Sequence, residues 1–392
     1  MTLTEAGTER VLLAFRAAFG PEALLVRSPG RVNLIGEHTD HNLGFVLPAA
    51  VDKAIVLAIA PRDDRRLRFR ALDNGQSYEG SLDAIQPVAA QWPNYLLGIL
   101  KEFQELGLPL RGVDCAFGGN VPIGCGLSSS AALEGGFAFG LNHLLGFGLD
   151  RVALARLSQR SENRFVGVNC GIMDQFASLL GREKRLIRLD CRDLSFEYVP
   201  FEREDIRIVL CDTQVRRSLT GSEYNTRRAQ CEAGVALLRQ REPGVASLRD
   251  ATRAMIEAHR AEFSPEVYRR CAYVVAENQR VLDACAALGR GDLAAFGAGM
   301  NRSHEGLAHG YQVSCPELDS LAEAAQALPG VLGARMMGAG FGGCTINLVE
   351  ADHLEAFQAG MAPVYRQRLG IEPVIHVCKL WGGTELIEGD AR

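Results

Sequence analysis

The sequence predicts an α+β protein of two domains, and three observations lead there. The chain has 392 residues, 47% of them hydrophobic and 23% charged, which is enough for about two cores of ordinary size. Strand-like and helix-like stretches come in blocks: strands between residues 24 and 60, helices from 92 to 180, strands again from Arg185, and helices again near Arg227. No internal repeat or low-complexity tract interrupts that pattern. The return of strands after a helical block sets a domain boundary near Gly181, with domains at 1–180 and 181–392.

Taken in order, residues 3–19 carry apolar positions at helical spacing and stop at Gly20 and Pro21. Residues 24–60 alternate strand and turn, and the apolar run 54–60 is a buried strand. Residues 92–106 have the pattern of an amphipathic helix. A strand at 113–117 leads through GGNVPIG into a helix from Ser128 to about Leu145. A further helix at 151–165, a loop at 167–171 and a short helix to Leu180 complete the first domain. LIRLD, FEYVPF and RIVLCD are strands of the second, and so is CTINLV at 344–349.

Composition excludes several function classes. The formal net charge is −5 and no long run of Lys or Arg occurs, which disfavours nucleic acid or an anionic membrane as partner. Even the arginine-rich stretch 62–70 is interrupted by Asp63 and Asp64. The N-terminus, MTLTEAGTERVLLAF, lacks the form of a secretory signal, and no apolar run is long enough to span a bilayer, so a cytoplasmic location is expected. The eleven cysteines are odd in number and contain no C-x-x-C pair, so reduced, mostly buried thiols are expected rather than a disulfide scaffold. Only His38 with His41, or His304 with His309, approach the spacing of zinc ligands, and neither pair has a cysteine companion.

Residues 30–44, GRVNLIGEHTDHNLG, gather Arg31, Asn33, Glu37, His38, Asp40 and His41 among glycines and aliphatics. Val32, Leu34 and Ile35 alternate with polar residues as at the end of a strand, and Gly36 and Gly44 bracket a loop whose side chains converge. Convergent charges of both signs suit a polyhydroxylated ligand, because one hydroxyl donates to Asp40 while another accepts from Arg31. A solvated charged turn, the plainer account, has no need of such apolar flanks.

Residues 121–133, VPIGCGLSSSAAL, carry phosphate chemistry. Gly124 and Gly126 let the backbone turn closely around an anion, and Ser128, Ser129 and Ser130 open a helix whose first N–H groups point outward. Capping needs one serine, so three in a row leave hydroxyls for metal or phosphate. The stretch is not a Walker A loop, since no Gly-Lys-Ser/Thr follows. Residues 338–343, GAGFGG, match the dinucleotide pattern G-x-G-x-x-G, but a strand follows the glycines where that fingerprint requires a helix. A tight hairpin is the plainer account of the same glycines. On its short helix Asp174 falls with Gln175 opposite Ile172, Met173 and Phe176, a position that by pattern alone fits an ordinary solvated acid.

These motifs, in this order, resemble the galactokinase signature of the GHMP small-molecule kinases. SENRFVGVNCGIMDQFAS at 161–178, GSEYNTRR at 221–228 and VSCPELD at 313–319 extend the resemblance over nearly the whole chain. It implies a two-domain GHMP kinase fold with the active site in the interdomain cleft, and transfer of the γ-phosphoryl group of ATP to the C1 hydroxyl of galactose. It further implies Asp174 as acceptor of the sugar proton, with Arg31 holding that carboxylate ionised and steadying transition-state charge. Mg²⁺ falls to Ser130 and Glu162, and nucleotide to Gly124, Gly126, Ser128, Ser129 and Ser130, with Trp92 and Tyr95 near adenine. The resemblance also implies that the loop 338–343 lies beside the nucleotide phosphates, where its glycines permit close backbone approach. Spacing alone would put Trp92 and Tyr95 in a core. Arg216 is a phosphate contact on the same basis, and the sugar falls to Glu37, His38, Asp40, Gly171 and Tyr224. A monomer acting on small molecules is expected.

The chain departs from the family pattern at His41, Leu43, the stretch 308–310, Met337, Ala339 and His376, where a Tyr is common. The His376 exchange is expected to loosen the cleft and widen sugar choice. Two alternatives stay open: a kinase for a related sugar such as N-acetylgalactosamine, galacturonic acid or arabinose, and a non-catalytic sugar sensor on the same fold.

Overall fold

A six-stranded sheet organises the first half of the chain in the computed structural model, which describes residues 3–122, 124–215 and 220–387. Its strands lie in the order Glu385–Leu386, Leu24–Asn33, Pro48–Pro61, Val113–Gly119, Arg66–Ala71, Gln76–Ser81. Neighbours are antiparallel except Arg66–Ala71 against Val113–Gly119, which run parallel. The strand Arg66–Ala71 arises from the charged stretch where composition had shown only mixed charge. There Leu67 and Phe69 point inward, fully buried, while Arg68 on the opposite face pairs with Asp114 at 2.6 Å.

Helices Gln91–Glu105 and Ser129–Leu144 form as their apolar spacing requires, within two residues of the expected bounds. Ser129–Leu144 packs tightly on the sheet because Gly136 has no side chain. A Cβ there would meet Leu57 Cδ1 at 2.6 Å and Ser28 Cβ at 2.7 Å. The helix Arg151–Ser161 runs into a wider π-type turn, Glu162–Val166, and the helix Met173–Leu180 follows.

A second, antiparallel sheet has the order Val331–Met337, Cys344–Glu350, Ile206–Asp212, Ile375–Cys378. Helices Thr220–Arg241, Pro265–Gly289 and Leu293–Glu305 belong to the same half, the first starting well before Arg227. Two pairings cross position 181. Phe45–Val46 pairs with Arg185–Asp190 in a three-stranded sheet, and Glu385–Leu386 returns to the first sheet beside Leu24–Asn33. One continuous apolar cluster runs from Val26, Leu57 and Phe137 through Phe176 to Leu210, Ile346 and Leu348, all fully buried. Each such side chain contributes roughly 1.5–3 kcal/mol.

Cysteine chemistry differs from expectation. Cys125 and Cys344 are joined in a disulfide, and the other nine cysteines are free, seven of them buried. The partners are 219 residues apart, and their approach is set by the meeting of the turn at Gly124–Gly126 with the start of the strand Cys344–Glu350, which no local spacing records. Among the described residues no helix is long and apolar enough to cross a membrane.

Candidate active site

The strand Leu24–Asn33, the turn before Ser129–Leu144 and the helix Met173–Leu180 meet at Arg31. Its backbone N–H donates to the Leu127 carbonyl at 3.0 Å. Its guanidinium donates to Asp174 Oδ1 from Nε at 2.8 Å and from Nη2 at 2.7 Å, and to the Gly126 carbonyl from Nη1. Burial by itself would lower the Arg31 pKa, but the charge of Asp174, backed by Glu37 and Asp40, outweighs it and raises the pKa above the ordinary arginine value. Ser128 Oγ donates to Asp174 Oδ2 at 2.5 Å. Ser128 occupies the N-cap position in a left-handed conformation and its side chain makes no cap bond, so its hydroxyl serves the carboxylate instead of the helix. Asp174 keeps 28% of its side chain exposed, enough for a substrate to approach one face.

Beside this triad, Ser129, Ser130, Trp92, Tyr95 and Phe117 line a cavity of about 430 Å³, with Asp73 and Asn74 at its edge. Trp92 and Tyr95 thus border an open space as well as packing on the core. Gly124 and Gly126 take positive φ values of 75° and 74°. Arg216 lies outside the described residues.

At the inner end of the serine helix sits an acidic cluster. Glu162 accepts from Gln175 Nε2 at 2.7 Å, and its pKa is raised to about 7, first by burial and next by the charge of Asp174. Ser130 is close enough to temper that rise by a hydrogen bond. Glu134, one turn along the helix from Ser130, is fully buried with its pKa pushed well up by burial and by Glu162. The Glu134 oxygens, Ser161 Oγ and Gln175 Oε1 have no partner at strict hydrogen-bond geometry among the described residues, while Glu162, Gln175 and Ser161 lie near enough to act on the Glu134 carboxyl through hydrogen bonds. Clustered buried oxygens on two acids whose pKa values burial raises are a donor set that a hard divalent cation satisfies. Glu134 was not singled out from sequence, where it reads as one more helix residue.

This cluster makes stability depend on pH. Between pH 4.5, the ordinary glutamate value, and about 7, folded Glu162 holds a proton that the unfolded chain has released, so stability without metal falls as pH rises through that window. Glu162→Gln removes the share of this titration that belongs to Glu162 and leaves that of Glu134. Its melting temperature in chelator is expected to lie a few degrees above wild type at pH 8 and to converge with it near pH 5. Parallel melting curves against pH in the two proteins would show that another group is responsible.

The loop after Asn33 forms a second chamber. His38 is 3% exposed, and its Nε2 bonds the Ala339 carbonyl at 3.2 Å, leaving Nδ1 buried without a partner among the described residues. Burial, then the neighbouring His41, lowers its pKa to about 3, so it is neutral and Nδ1 is an open acceptor. Asp40 lies 3.3 Å from His41 Nδ1. Burial alone would raise the Asp40 pKa, but His41 outweighs it and lowers the value. Tyr224 Oη meets His41 Nδ1 at 2.9 Å, and His41 Nε2 meets Tyr311 Oη at 3.3 Å, so the histidine that departs from the family pattern is held by two tyrosines. Gly171 abuts Asp40 so closely that a Cβ would lie 2.0 Å from Oδ2.

Glu37 is more enclosed than its sequence role suggested. It is 1% exposed, and it accepts from Asn33 Nδ2 at 3.0 Å, from the Gly338 N–H at 2.8 Å and from Arg335 at 3.2 Å. Arg335, wholly buried and not anticipated, also donates to the carbonyls of Leu34, at 2.9 Å, and Asn33, and so anchors the chamber's floor to the second sheet. The glycines 338–343 connect two antiparallel strands as a hairpin would, and they also touch the phosphate loop: a Cβ on Gly343 would lie 3.4 Å from the Gly124 carbonyl. His376 does not join the sugar-loop residues. It stands behind the phosphate loop, within 4.8 Å of ligand atoms of Cys125 and Asp212, because its strand pairs with Ile206–Asp212.

Family comparison agrees with this geometry. Residues 13–61 match the galactokinase galactose-binding signature, 94–182 the N-terminal domain of GHMP kinases and 284–366 their C-terminal domain. The chain is 43% identical over 369 residues to a galactokinase of Roseiflexus sp., covering 94% of each protein. It is 43% identical to a galactokinase of Chloroflexus aurantiacus, covering 95% of this chain and 96% of that one. The crystal structure of Lactococcus lactis galactokinase complexed with galactose superposes with a TM-score of 0.93 at 36% identity, over 98% of this chain and all of that one. Methanococcus jannaschii mevalonate kinase, at 18% identity and a TM-score of 0.64, shares the fold.

Proposed function

The chain belongs to the galactokinase family of the GHMP kinases, and on that premise we propose that it transfers the γ-phosphoryl group of ATP to the C1 hydroxyl of galactose, giving galactose 1-phosphate. One observation carries the reading: Arg31 joins the Asp174 carboxylate to the Gly126 carbonyl, so a sugar-side acceptor and the phosphate loop are held on a single side chain.

Asp174 orients the C1 hydroxyl and accepts its proton as the phosphorus–oxygen bond forms. With both its oxygens already hydrogen-bonded, it contributes as much by placement as by basicity. Arg31 balances charge gathering between donor and acceptor oxygens. His38 Nδ1, Asp40, Tyr224, the backbone at Gly171 and the remaining lone pairs of Glu37 hold the other hydroxyls. Ser128, Ser129 and the N–H groups that open their helix receive the phosphates, and the cavity beside Trp92 and Tyr95 receives adenine. Arg216 is retained as a phosphate contact.

Ser130 and Glu162, with Glu134 behind them, would hold Mg²⁺, which when bound supplies charge neutralisation of the ATP phosphates. Ser130→Ala and Glu162→Gln are therefore expected to raise the Mg²⁺ concentration for half-maximal rate several-fold, while galactose affinity measured without nucleotide stays unchanged. An unaltered Mg²⁺ titration in both variants counts against the assignment.

We place the enzyme in the cytoplasm as a monomer. The deciding experiment is ADP release with a sugar panel, run beside sugar-only calorimetry. Galactose-dependent turnover supports the proposal. Galactose binding without turnover would indicate the sensor, and preference for N-acetylgalactosamine, galacturonic acid or arabinose a related kinase.

A further inference from the structure

Behind the phosphate loop lies a second cluster of ligating side chains that the chemistry above does not use. Cys344, Asp212 and His376 come from three adjacent strands. Cys344 pairs directly with Asp212, and His376 pairs with Leu210, two residues before Asp212 on the same strand. The period of two therefore sets all three side chains on one face of the sheet. Cys125, in the turn between Gly124 and Gly126, lies over that face. Its Sγ, an Asp212 oxygen and a His376 ring nitrogen are within 4.8 Å of one another, and Cys344 joins through its bond to Cys125. His376 Nε2 is buried and makes no hydrogen bond among the described residues. Asp212 accepts from the Gln214 N–H at 2.8 Å and takes part in a further polar interaction, and the two oxygens of a carboxylate together offer about four lone-pair sites, so an oxygen that accepts a hydrogen bond can still ligate a metal.

Two thiols, an imidazole and a carboxylate are the ligand types of a tetrahedral zinc-class cation, not of Mg²⁺. Tetrahedral edges of about 3.3–3.8 Å follow from metal–sulfur and metal–nitrogen bonds of about 2.3 and 2.0 Å. The three grouped ligand atoms, within 4.8 Å of one another, need to close by at most about 1–1.5 Å to reach those edges. We propose that in the reduced protein Cys125, Cys344, Asp212 and His376 bind one zinc-class divalent cation, and that cation and disulfide are alternative clamps of the phosphate loop onto the C-terminal sheet.

Interconversion balances with a low-molecular-weight disulfide as oxidant. One metal-bound thiolate attacks it, expelling a small thiolate and forming a mixed disulfide; the second protein thiolate then attacks the protein sulfur, expelling another. The electron pair passes to the small disulfide, which leaves as two thiolates, and the cation is released. Either clamp holds Gly126 against the strand end at Met337, where a Gly126 Cβ would lie 3.2 Å from the carbonyl oxygen.

The full chain, reduced with a phosphine and freed of metal by chelator, is titrated with Co²⁺ as a spectroscopic stand-in for Zn²⁺. One equivalent is expected to bind with the visible bands of tetrahedral, thiolate-ligated cobalt, and the oxidised chain is expected to show none. Cys125→Ser and His376→Ala should each lose at least tenfold in cobalt affinity, while Cys285→Ser, at a half-buried thiol outside the cluster, retains it. A wild-type measurement guards against misfolded variants: adding the small disulfide to zinc-loaded protein should release one Zn²⁺ per chain as peptide mapping detects the Cys125–Cys344 bridge. Absence of tetrahedral cobalt in the reduced wild type, undiminished bands in His376→Ala, or bridge formation without zinc release would each overturn the proposal.

Discussion

In the Asp174→Asn enzyme kcat is expected to fall by about 10² to 10⁴ while ATP binding stays near wild type. The amide has the shape of the carboxylate and still offers one oxygen, but it takes no proton and carries no charge toward Arg31. Arg31 is 3% exposed and loses its nearest anion. Glu37 and Asp40 continue to stabilise it, so the fold survives and the loss is read in turnover. The nucleotide cavity is lined by other side chains, among them Ser129, Ser130, Trp92 and Tyr95, and the amide oxygen of Asn can still accept from Ser128. Steady-state kcat with saturating galactose and Mg·ATP, beside calorimetric ATP binding, makes the check. A variant turning over at the wild-type rate would remove Asp174 from the mechanism.

Gly171→Ala is expected to raise the galactose KM by about tenfold to a hundredfold, equivalent to about 1.4–2.8 kcal/mol. The added Cβ would lie 2.0 Å from Asp40 Oδ2 and 2.1 Å from its Cγ, so one of the two must move. Asp40 is the part that yields, since it is the end of a side chain, held by His41 through the ring at 3.3 Å and through the backbone N–H. Its displacement carries His41 and then Tyr224, which share one hydrogen-bonded chain. The phosphate loop lies outside this chain, so the KM for ATP should be unchanged. Equal sugar KM values in the two proteins would show that Asp40 does not position galactose.

Much of the site was legible because it is written in local patterns. Arg31 through His41 are consecutive enough for their convergence to be read from a strand end and two glycines, and the serines 128–130 announce a helix start with surplus hydroxyls. Helix bounds such as Leu3–Phe19 followed from apolar spacing alone. Asp174 was less legible. Pattern allowed a solvated acid, resemblance alone pointed to catalysis, and the bond from Ser128 shows why a residue 46 positions away matters to it.

What the sequence determined by itself is the set of motifs, their order and the chemistry their residue types permit, since these depend on spacing along one segment. Tertiary structure alone decided how distant segments complete each other. Arg335 anchors the proposed sugar chamber from about 300 residues away, Glu134 adds a buried acid to the proposed metal site of Ser130 and Glu162, and Cys125 meets Cys344 across 219 residues. His376 leaves the sugar for the back of the phosphate loop on the strength of strand register. A side chain's partner across a sheet or between two loops is fixed by the packing of a whole core, and a sequence has no local period that records it.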